Sequence, residues 1–412
     1  MKPGKQSVSA EIITVGHELL QGNILNTNAR FLGRELTGLG FTVKRQVSCP
    51  DQVTEIRDCL KEALGRSQLV ILSGGLGPTP DDVTREGVAS CFHVPLVLSE
   101  AQFARIKWFY KKFRRQSVPD LVREEALYPQ NAVPLINRYG IALGFYLVVD
   151  TSLVVVLPGV PSELENMFHQ LVRPLLRSRF GCFKRGLQLV VKMVGISEPE
   201  VMRRLGDRFV SPLFQFGIYP ECGEITIRIR SHQPAILQSL IKKIKTLLDD
   251  FVYAYEDVSL GAVIGKILTR KKATLSVAES CTGGLLSSHI TTIPGASRYF
   301  KGGLTAYANE VKKECLGISE VLLTRRGAVS QRVALEMAKK IRSKLKTTYG
   351  LGVTGIAGPS GGVRKKPVGL VYIALATPKK NHVWAHRFFG DRIQIQTRVV
   401  TQALEYLWRE IR

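Results

Sequence analysis

Along the first third of the chain, short apolar runs alternate with apolar residues spaced three and four apart. Glu11-Ile12-Ile13-Thr14-Val15 has the length of a strand and closes at Gly16. Ala29, Leu32, Leu36 and Leu39 then mark one face of a helix over residues 26–39, with Gly40 in the position of a C-cap. A strand over 41–47, a helix over 52–64 and a buried strand over 69–72 follow. This β-α-β-α-β order predicts a parallel sheet with helices on both faces. Two more strands are predicted at 145–149 and 153–157, and a helix from about residue 162.

A basic, glycine-containing stretch at 177–186 breaks the rhythm. After it, residues 187–194 read as a strand, and Glu224-Ile225-Thr226-Ile227-Arg228-Ile229-Arg230 alternates strictly, as a half-exposed strand does. Helical patterns at 199–205 and 235–248 complete a small α+β unit without a catalytic constellation, whose expected role is a spacer or dimerisation module. From residue 255 the earlier rhythm returns, with helices at 260–268, 283–290, 331–345 and 392–408 and strands at 274–278, 350–353, 369–376 and 383–388. The expected class is α/β: two three-layer α/β domains with mostly parallel sheets, residues 1–178 and 255–412, flanking a small α+β middle domain, residues 179–254.

At 412 residues the chain is too long for one core, and 45% apolar with 22% charged residues is a globular balance. No apolar run approaches the roughly 18–20 residues that span a bilayer, and the first residues lack an apolar leader, so a cytoplasmic location is expected. The cysteines (Cys49, Cys59, Cys91, Cys182, Cys222, Cys281, Cys315) are scattered, odd in number and without a C-x-x-C pair, which predicts reduced, buried thiols. A net charge of +24 has two readings, a surface that gathers small anionic substrates or one that binds nucleic acid. The cations fall in short clusters, among them Arg270-Lys271-Lys272, Arg325-Arg326 and Lys365-Lys366, with no long basic arm. Aromatics interleave with charge at 107–115, where Phe103, Ile106, Tyr110 and Phe113 have the spacing of a helix face. The helix face is the favoured reading there, with nucleic acid the runner-up.

Three segments carry chemistry. Ser73-Gly74-Gly75-Leu76-Gly77-Pro78-Thr79-Pro80-Asp81-Asp82 follows a predicted strand, where glycines let backbone N–H groups converge on a phosphate. Asp81 and Asp82 are placed to hold a divalent cation there, or merely to cap the next helix. Ala278-Glu279-Ser280-Cys281-Thr282-Gly283-Gly284 presents a hydroxyl and a thiol at a strand-to-helix turn, beside N–H groups able to hold an oxyanion. No histidine and aspartate stand ready for a triad. A lysine desolvated by burial can serve a hydroxyl nucleophile instead, and Lys312 in Tyr307-Ala308-Asn309-Glu310-Val311-Lys312 is one such candidate among many lysines. Ser280 and Cys281 remain rival nucleophiles. Val353-Thr354-Gly355-Ile356-Ala357-Gly358-Pro359-Ser360-Gly361-Gly362 is a second glycine loop, with Lys365 and Lys366 nearby to add charge.

These segments, with Gly327-Ala328-Val329-Ser330, Lys366-Pro367-Val368-Gly369 and Gly390-Asp391-Arg392, resemble the C-terminal domain of the CinA family (competence/damage-inducible protein A) in order and spacing. That resemblance implies an amidase without a cofactor, converting nicotinamide mononucleotide to nicotinic acid mononucleotide and ammonia. It casts Ser280 as nucleophile and Lys312 as base, with Thr282 and Tyr307 completing the catalytic set. Cys281, Gly283, Gly284 and Asn309 would line the substrate site with Thr354, Gly355, Ala357, Gly358, Gly361 and Gly362. Residues 16–20, Asn26-Thr27-Asn28, 73–82 and Leu157-Pro158-Gly159 resemble the family's other domain, related in fold to molybdopterin-binding proteins. There Ser73, Gly74, Gly75, Gly77 and Thr79 would form a phosphate loop. Asp81 and Asp82 would hold Mg, Mn or Co for the ADP-ribose pyrophosphatase activity of some members. Three departures bear on that activity: His17 stands where the family usually has Thr, and Gly140-Ile141-Ala142-Leu143-Gly144 and Gly159-Val160-Pro161 lack its usual hydroxyl and prolines. The resemblance also implies a homodimer acting on small-molecule nucleotides.

Overall fold

The computed structural model describes residues 8–114, 120–181, 187–206, 209, 211–231 and 233–412. The chain separates into two compact units, Met1–Arg185 and Gly186–Arg412. The first contains β1 (Ser9–Val15), α1 (His17–Leu20), α2 (Thr27–Leu39), β2 (Thr42–Cys49), α3 (Val53–Leu64), β3 (Leu69–Ser73), α4 (Thr84–Phe92), β4 (Leu96–Leu98) and α5 (Glu100–Phe109). β5 (Leu127–Pro129), β6 (Val133–Leu135), β7 (Gly144–Val149), β8 (Ser152–Leu157), α6 (Pro161–Met167) and α7 (Arg173–Phe180) complete it. Six strands form one sheet in the order β2-β1-β3-β8-β7-β6, parallel across the first four and antiparallel at the β7 and β6 edge.

The continuous apolar runs of the central strands follow from burial on both faces. Ile12, Ile71 and Val155 pack with α2, α6 and α7, whereas Ile13, Leu72 and Val156 pack with α3 and α4. Successive side chains thus feed opposite layers. The aromatic stretch at 103–110 is a helix face, as expected: Ile106 and Tyr110 are buried against Val122 and Ala126, while Trp108 is half exposed. The side chain of Phe113 lies outside the described residues.

The second unit opens with β9 (Leu187–Val194), α8 (Glu198–Leu205), β10 (Gln215–Glu221), β11 (Glu224–Ser231), α9 (Pro234–Leu248) and β12 (Val252–Ala254). These strands form an antiparallel sheet, β10-β11-β9-β12, and bury Val191, Ile227 and Ile229 against α8 and α9. Then come α10 (Leu260–Arg270), β13 (Leu275–Glu279), α11 (Leu285–Thr291), β14 (Phe300–Thr305), α12 (Asn309–Glu314), α13 (Glu320–Arg326) and α14 (Gln331–Lys344). β15 (Tyr349–Gly355), β16 (Leu370–Ala376), β17 (Asn381–Arg387) and α15 (Arg392–Ile411) follow. The five-stranded sheet runs β14-β13-β15-β16-β17; its first three strands are parallel, and β16 and β17 are antiparallel additions. The antiparallel module packs directly on the last helix. Val194 and Tyr253 join the core of α15, and Arg409 and Arg412 donate to the Asp250 carbonyl.

Helices α10, α11 and α15 cover one face of this sheet, and α14 the other. The approach of α14 is unusually close because β15 offers glycines where it crosses. A Cβ at Gly350 or Gly352 would lie 2.4 or 2.3 Å from the Ala338 or Ala334 carbonyl oxygen. The N-terminus of α15 is fixed by a capping box between Asp391 and Gln394, a device worth about 1 kcal/mol. On the outer strand, the ring of Trp384 stacks on Tyr406 of α15 at 3.8 Å and on His382 at 5.3 Å.

Cys49, Cys59, Cys91, Cys222, Cys281 and Cys315 are free thiols, and Cys182 lies outside the described residues. Cys222 and Cys315 are exposed, a correction to the expectation of buried thiols: Cys222 sits in the tight β10–β11 turn and Cys315 at the end of the short helix α12. Among the described residues, no helix is long and apolar enough to cross a membrane.

Candidate active site

β13 is buried along its length and ends in Glu279, after which the chain turns sharply into α11. The Ser280 N–H donates to the Val353 carbonyl of the neighbouring strand, and the Gly283 N–H closes back on the Ser280 carbonyl. Gly283 and Gly284 have φ of +62° and +101°, left-handed values that a side chain would strain. The carboxylate of Glu279 caps the turn from beneath, fully buried. It accepts from the Thr282 hydroxyl at 2.7 Å, the Leu286 N–H at 3.1 Å, the Ser287 N–H at 3.0 Å and the Ser287 hydroxyl at 2.6 Å.

β14 delivers the partner. Its exit is tied to β13 by the Ala306 N–H on the Glu279 carbonyl, and the chain folds back into α12. Lys312, 1% exposed, then lies with Nζ 3.0 Å from Ser280 Oγ, 2.8 Å from the Ala306 carbonyl and 2.9 Å from the Tyr307 carbonyl. Burial lowers its pKa below the ordinary lysine value. A neutral amine has two N–H groups and one lone pair. In that form the two carbonyls would take the N–H groups and leave the lone pair for the Ser280 hydroxyl. Among the described residues Lys312 is the side chain that hydrogen-bonds Ser280 Oγ. His289 is exposed on α11 and takes no part.

Cys281 separates from its neighbour. Its thiol points into the core beside Leu286 and Val353, and burial pushes its pKa up to about 12. A thiol held protonated is a poor nucleophile, so the geometry favours Ser280 over Cys281 for that role, and the Cys281 side chain packs in the core. The Thr282 hydroxyl donates to Glu279 and so shapes the turn. The Gly283 N–H is taken by Ser280 and is not free for an oxyanion. Thr354 is buried and donates to the Ala328 carbonyl, joining the second glycine loop to the segment before α14. The Lys366 ammonium donates to the Arg326 carbonyl at 2.9 Å, which leaves its charge in place. Asn309 is exposed at the start of α12, and Tyr307 is 59% exposed above the site. Gly355, Ala357 and Gly358 lead from β15 into the loop, with Gly361 and Gly362 exposed at its tip.

Two residues of α15 complete the arrangement. Arg392 donates to the Gly358 carbonyl at 2.7 Å and to the Tyr307 hydroxyl at 3.0 Å, and Gln396 donates to the Cys281 carbonyl at 2.7 Å. The final helix therefore grips the glycine loop, the exposed tyrosine and the nucleophile turn together.

In the first unit, the glycine loop follows β3 at the carboxyl ends of β1, β3 and β8, where open α/β sheets bind ligands. A cleft of about 90 Å³ is lined there by Thr14, Asn26, Asn28, Ser73, Gly74 and Gly159. Asn28 donates to the Ser73 hydroxyl and the Gly159 carbonyl, and Asn26 caps α2. Gly74 has φ of +109°, and a Cβ there would strike the Val15 carbonyl oxygen at 2.3 Å. The expected phosphate cradle is only partly available, because the loop satisfies itself. The Gly74 N–H goes to Leu157, the Thr84 N–H to Gly75, and Asp82 accepts from both the Thr79 N–H and the Thr79 hydroxyl. Gly75 has φ of +63°, and a Cβ at Gly77 would meet the Asp82 carboxylate. Among the described residues no three His, Cys, Asp or Glu side chains gather to hold a metal. As built, Asp82 closes the turn through the Thr79 N–H and hydroxyl.

Beneath that loop lies a buried polar group. Arg85 donates to the Leu76 and Gly77 carbonyls, and Asn137 holds Glu163. Burial raises the Glu125 carboxyl to about 7, against the pull of Arg85. A raised carboxyl pKa stabilises the fold below the unfolded value near 4.5, and that stability is lost as pH rises through about 7. Glu125→Gln should therefore leave the first unit's melting temperature unchanged at pH 4 and raise its stability by about 3 kcal/mol at pH 8. Thermal melts of the two proteins at both pH values test this, and an equal difference at pH 4 and pH 8 refutes it.

Two family models match the chain, one described as the CinA C-terminal domain over residues 257–411 and one as a probable molybdopterin binding domain over residues 11–178. A competence-damage inducible protein of Caldanaerobacter subterraneus subsp. tengcongensis is 39% identical over 409 residues, 97% of each chain. The chain belongs to the CinA family. A relative of the same name in Moorella thermoacetica is 38% identical over 411 residues, covering 98% of this chain and 99% of its own. Among solved structures, CinA from Thermoplasma acidophilum is 38% identical and matches 41% of this chain and 98% of its own, with a TM-score of 0.38. MoaB from Thermus thermophilus is 18% identical over 42% of this chain and 94% of its own, with a TM-score of 0.29.

In this CinA chain, sequence reasoning missed Glu279 as the anchor of the turn, Arg392 and Gln396 as its clamp, and Arg85 and Glu125 beneath the first loop. Glu279 stood in the quoted motif, and a carboxylate at a strand end a few residues before a helix start was its signal. Arg392 stood in the quoted Gly390-Asp391-Arg392 without a role, and it and Gln396 lie more than 100 residues from Ser280, so no local pattern connects them to the turn.

Proposed function

We propose that the second unit is a serine–lysine amidohydrolase acting on a pyridine nucleotide, nicotinamide mononucleotide, and releasing nicotinic acid mononucleotide and ammonia. The contact that supports this reading is the 3.0 Å approach of the buried Lys312 amine to Ser280 Oγ. The substrate assignment rests on family resemblance. In the proposed reaction the Ser280 hydroxyl gives its proton to Lys312 as Oγ attacks the carboxamide carbon. The Ser280 and Gly283 N–H groups are already bonded, and the other N–H groups of the nucleophile turn would serve as donors for the oxyanion. Lys312 then returns the proton to the leaving nitrogen, and ammonia departs. A water molecule repeats the sequence on the acyl-serine, giving its proton to Lys312 and freeing the carboxylic acid. Arg392 and the loop at Gly358 lie at the mouth, where a cation and backbone groups suit the 5′-phosphate and supply orientation.

Ammonia release from nicotinamide mononucleotide by the purified full-length protein tests the reading. Wild type and Cys281→Ala should both release ammonia, within about threefold of each other, because the thiol packs and does not react. Nicotinamide riboside, which lacks the phosphate, should show a raised KM. A folded wild-type protein that releases no ammonia overturns the proposal.

A further inference from the structure

The register of the five-stranded sheet gathers cationic clusters that are far apart in sequence. Phe300, Leu275 and Tyr349 are level with one another, as are Ala376 and Asn381 on the antiparallel strands, so five strand ends and four connecting segments meet at one edge. Lys271 and Lys272 lead into β13, and Lys346 leads into β15. Lys379 and Lys380 form the β16–β17 turn, and Arg298 precedes β14. The C-terminal ends of α10 and α14 add Arg270 and Arg342. Among the described residues, none of these cations has a carboxylate within ion-pair distance, although ion pairs are common elsewhere in the chain.

Two clefts open on this edge. One, of about 520 Å³, is lined by Lys339, Arg342, Lys346, Lys379 and Lys380 with Thr347 and Thr377. The other, of about 450 Å³, is lined by Lys266, Arg270 and Arg298 with Thr269. Neither lining contains an acidic side chain. The nearby acids stand at the border: Glu336 pairs with Lys339, Glu256 with Lys266, and Glu410 faces His382. The catalytic turn lies at the other end of β13, five residues or about 16 Å away.

We infer that this edge binds duplex nucleic acid through its phosphate backbone, without reading sequence. Five strands spaced about 4.8 Å apart span about 19 Å, a length over which duplex DNA presents about eleven phosphate charges. Lysine, arginine and hydroxyl groups are the usual phosphate contacts. The only aromatic side chain in either lining, Tyr299, is buried, so the edge lacks the exposed stacking platform that single strands use. The substrate site on the opposite end stays open while the edge is occupied.

The test is fluorescence anisotropy of a labelled 20-base-pair duplex with the full chain between 50 and 200 mM salt. The edge variant carries Lys272→Glu, Lys346→Glu, Lys379→Glu and Lys380→Glu. A control with the same change in net charge carries Lys44→Glu, Arg45→Glu, Lys242→Glu and Lys243→Glu, all exposed elsewhere. Wild type and control should bind with affinity falling steeply with salt. The edge variant should bind at least 30-fold more weakly at 50 mM, with a log–log salt slope flatter by about 3. A set with glutamine at the same four edge positions, checked by its melting temperature, should weaken binding in the same direction and guards against misfolding. Equal losses in control and edge variant overturn the inference, as does absence of duplex binding at 50 mM salt. Binding to phosphatidylserine vesicles without duplex binding reassigns the edge to an anionic membrane and also overturns it.

Discussion

Replacing Lys312 with alanine should lower kcat for ammonia release by about 10³- to 10⁴-fold while KM changes little. The lysine touches the nucleophile, and a general base contributes roughly 10² to 10⁴ in rate. Lys312→Arg should do no better, because a guanidinium stays protonated and has no lone pair to take the Ser280 proton. Ser280→Ala should cost at least as much. The Ser280→Ala, Lys312→Ala double variant should be no slower than the worse single variant, since the two groups act as one device. In the wild type, kcat/KM should rise with pH through the lowered Lys312 pKa, because the neutral amine is the active form. A Lys312→Ala protein with more than a tenth of wild-type kcat defeats this assignment.

The second large effect concerns Glu279. Truncation to alanine removes the acceptor for four hydrogen bonds and strands two helix N–H groups and two hydroxyls in a buried turn. Each stranded donor costs about 1–3 kcal/mol unless water reaches it. A net loss of about 4 kcal/mol lowers the melting temperature of a unit this size by about 10 °C. Glu279→Gln, which keeps one acceptor oxygen but turns an amide NH2 towards donors, should lose about half as much. Because the turn also aims Ser280, kcat should fall by about 10²-fold in the alanine variant, with KM less affected. A melting temperature within 2 °C of wild type shows that Glu279 does not hold the turn.

The layered architecture was legible because local and global signals agree. Buried runs such as Leu69-Val70-Ile71-Leu72 could form little other than a central strand, and the residues of α14 and α15 kept their helical spacing to the ends. β14 escaped notice because Phe300-Lys301-Gly302-Gly303-Leu304-Thr305 is an edge strand with two glycines and few apolar residues. The short helix α12 was hidden for a similar reason: its six residues are too few to show a period. At the site, Ser280 and Lys312 stood in recognisable motifs, but choosing between Ser280 and Cys281 needed the direction of each side chain. That direction is set by the glycine turn and by Glu279 beneath it. The partial loss of the phosphate cradle at Gly74 to Asp82 was equally invisible, since loop carbonyls that consume their own N–H groups leave no trace in composition.

The tryptophans divide unevenly between the two units, and this gives the protein an optical asymmetry. Trp108 stands half in solvent on α5, while Trp384 lies against Tyr406 and Trp408 is buried at the edge of Tyr253. Emission from the first unit should therefore lie to the red of emission from the second, whose indoles pack against aromatic rings. Heating that melts the first unit alone leaves the spectrum nearly still; loss of the second swings it to longer wavelength. Light alone thus reports the melting of the second unit, so the substitution at Glu279 can be followed without cutting the chain.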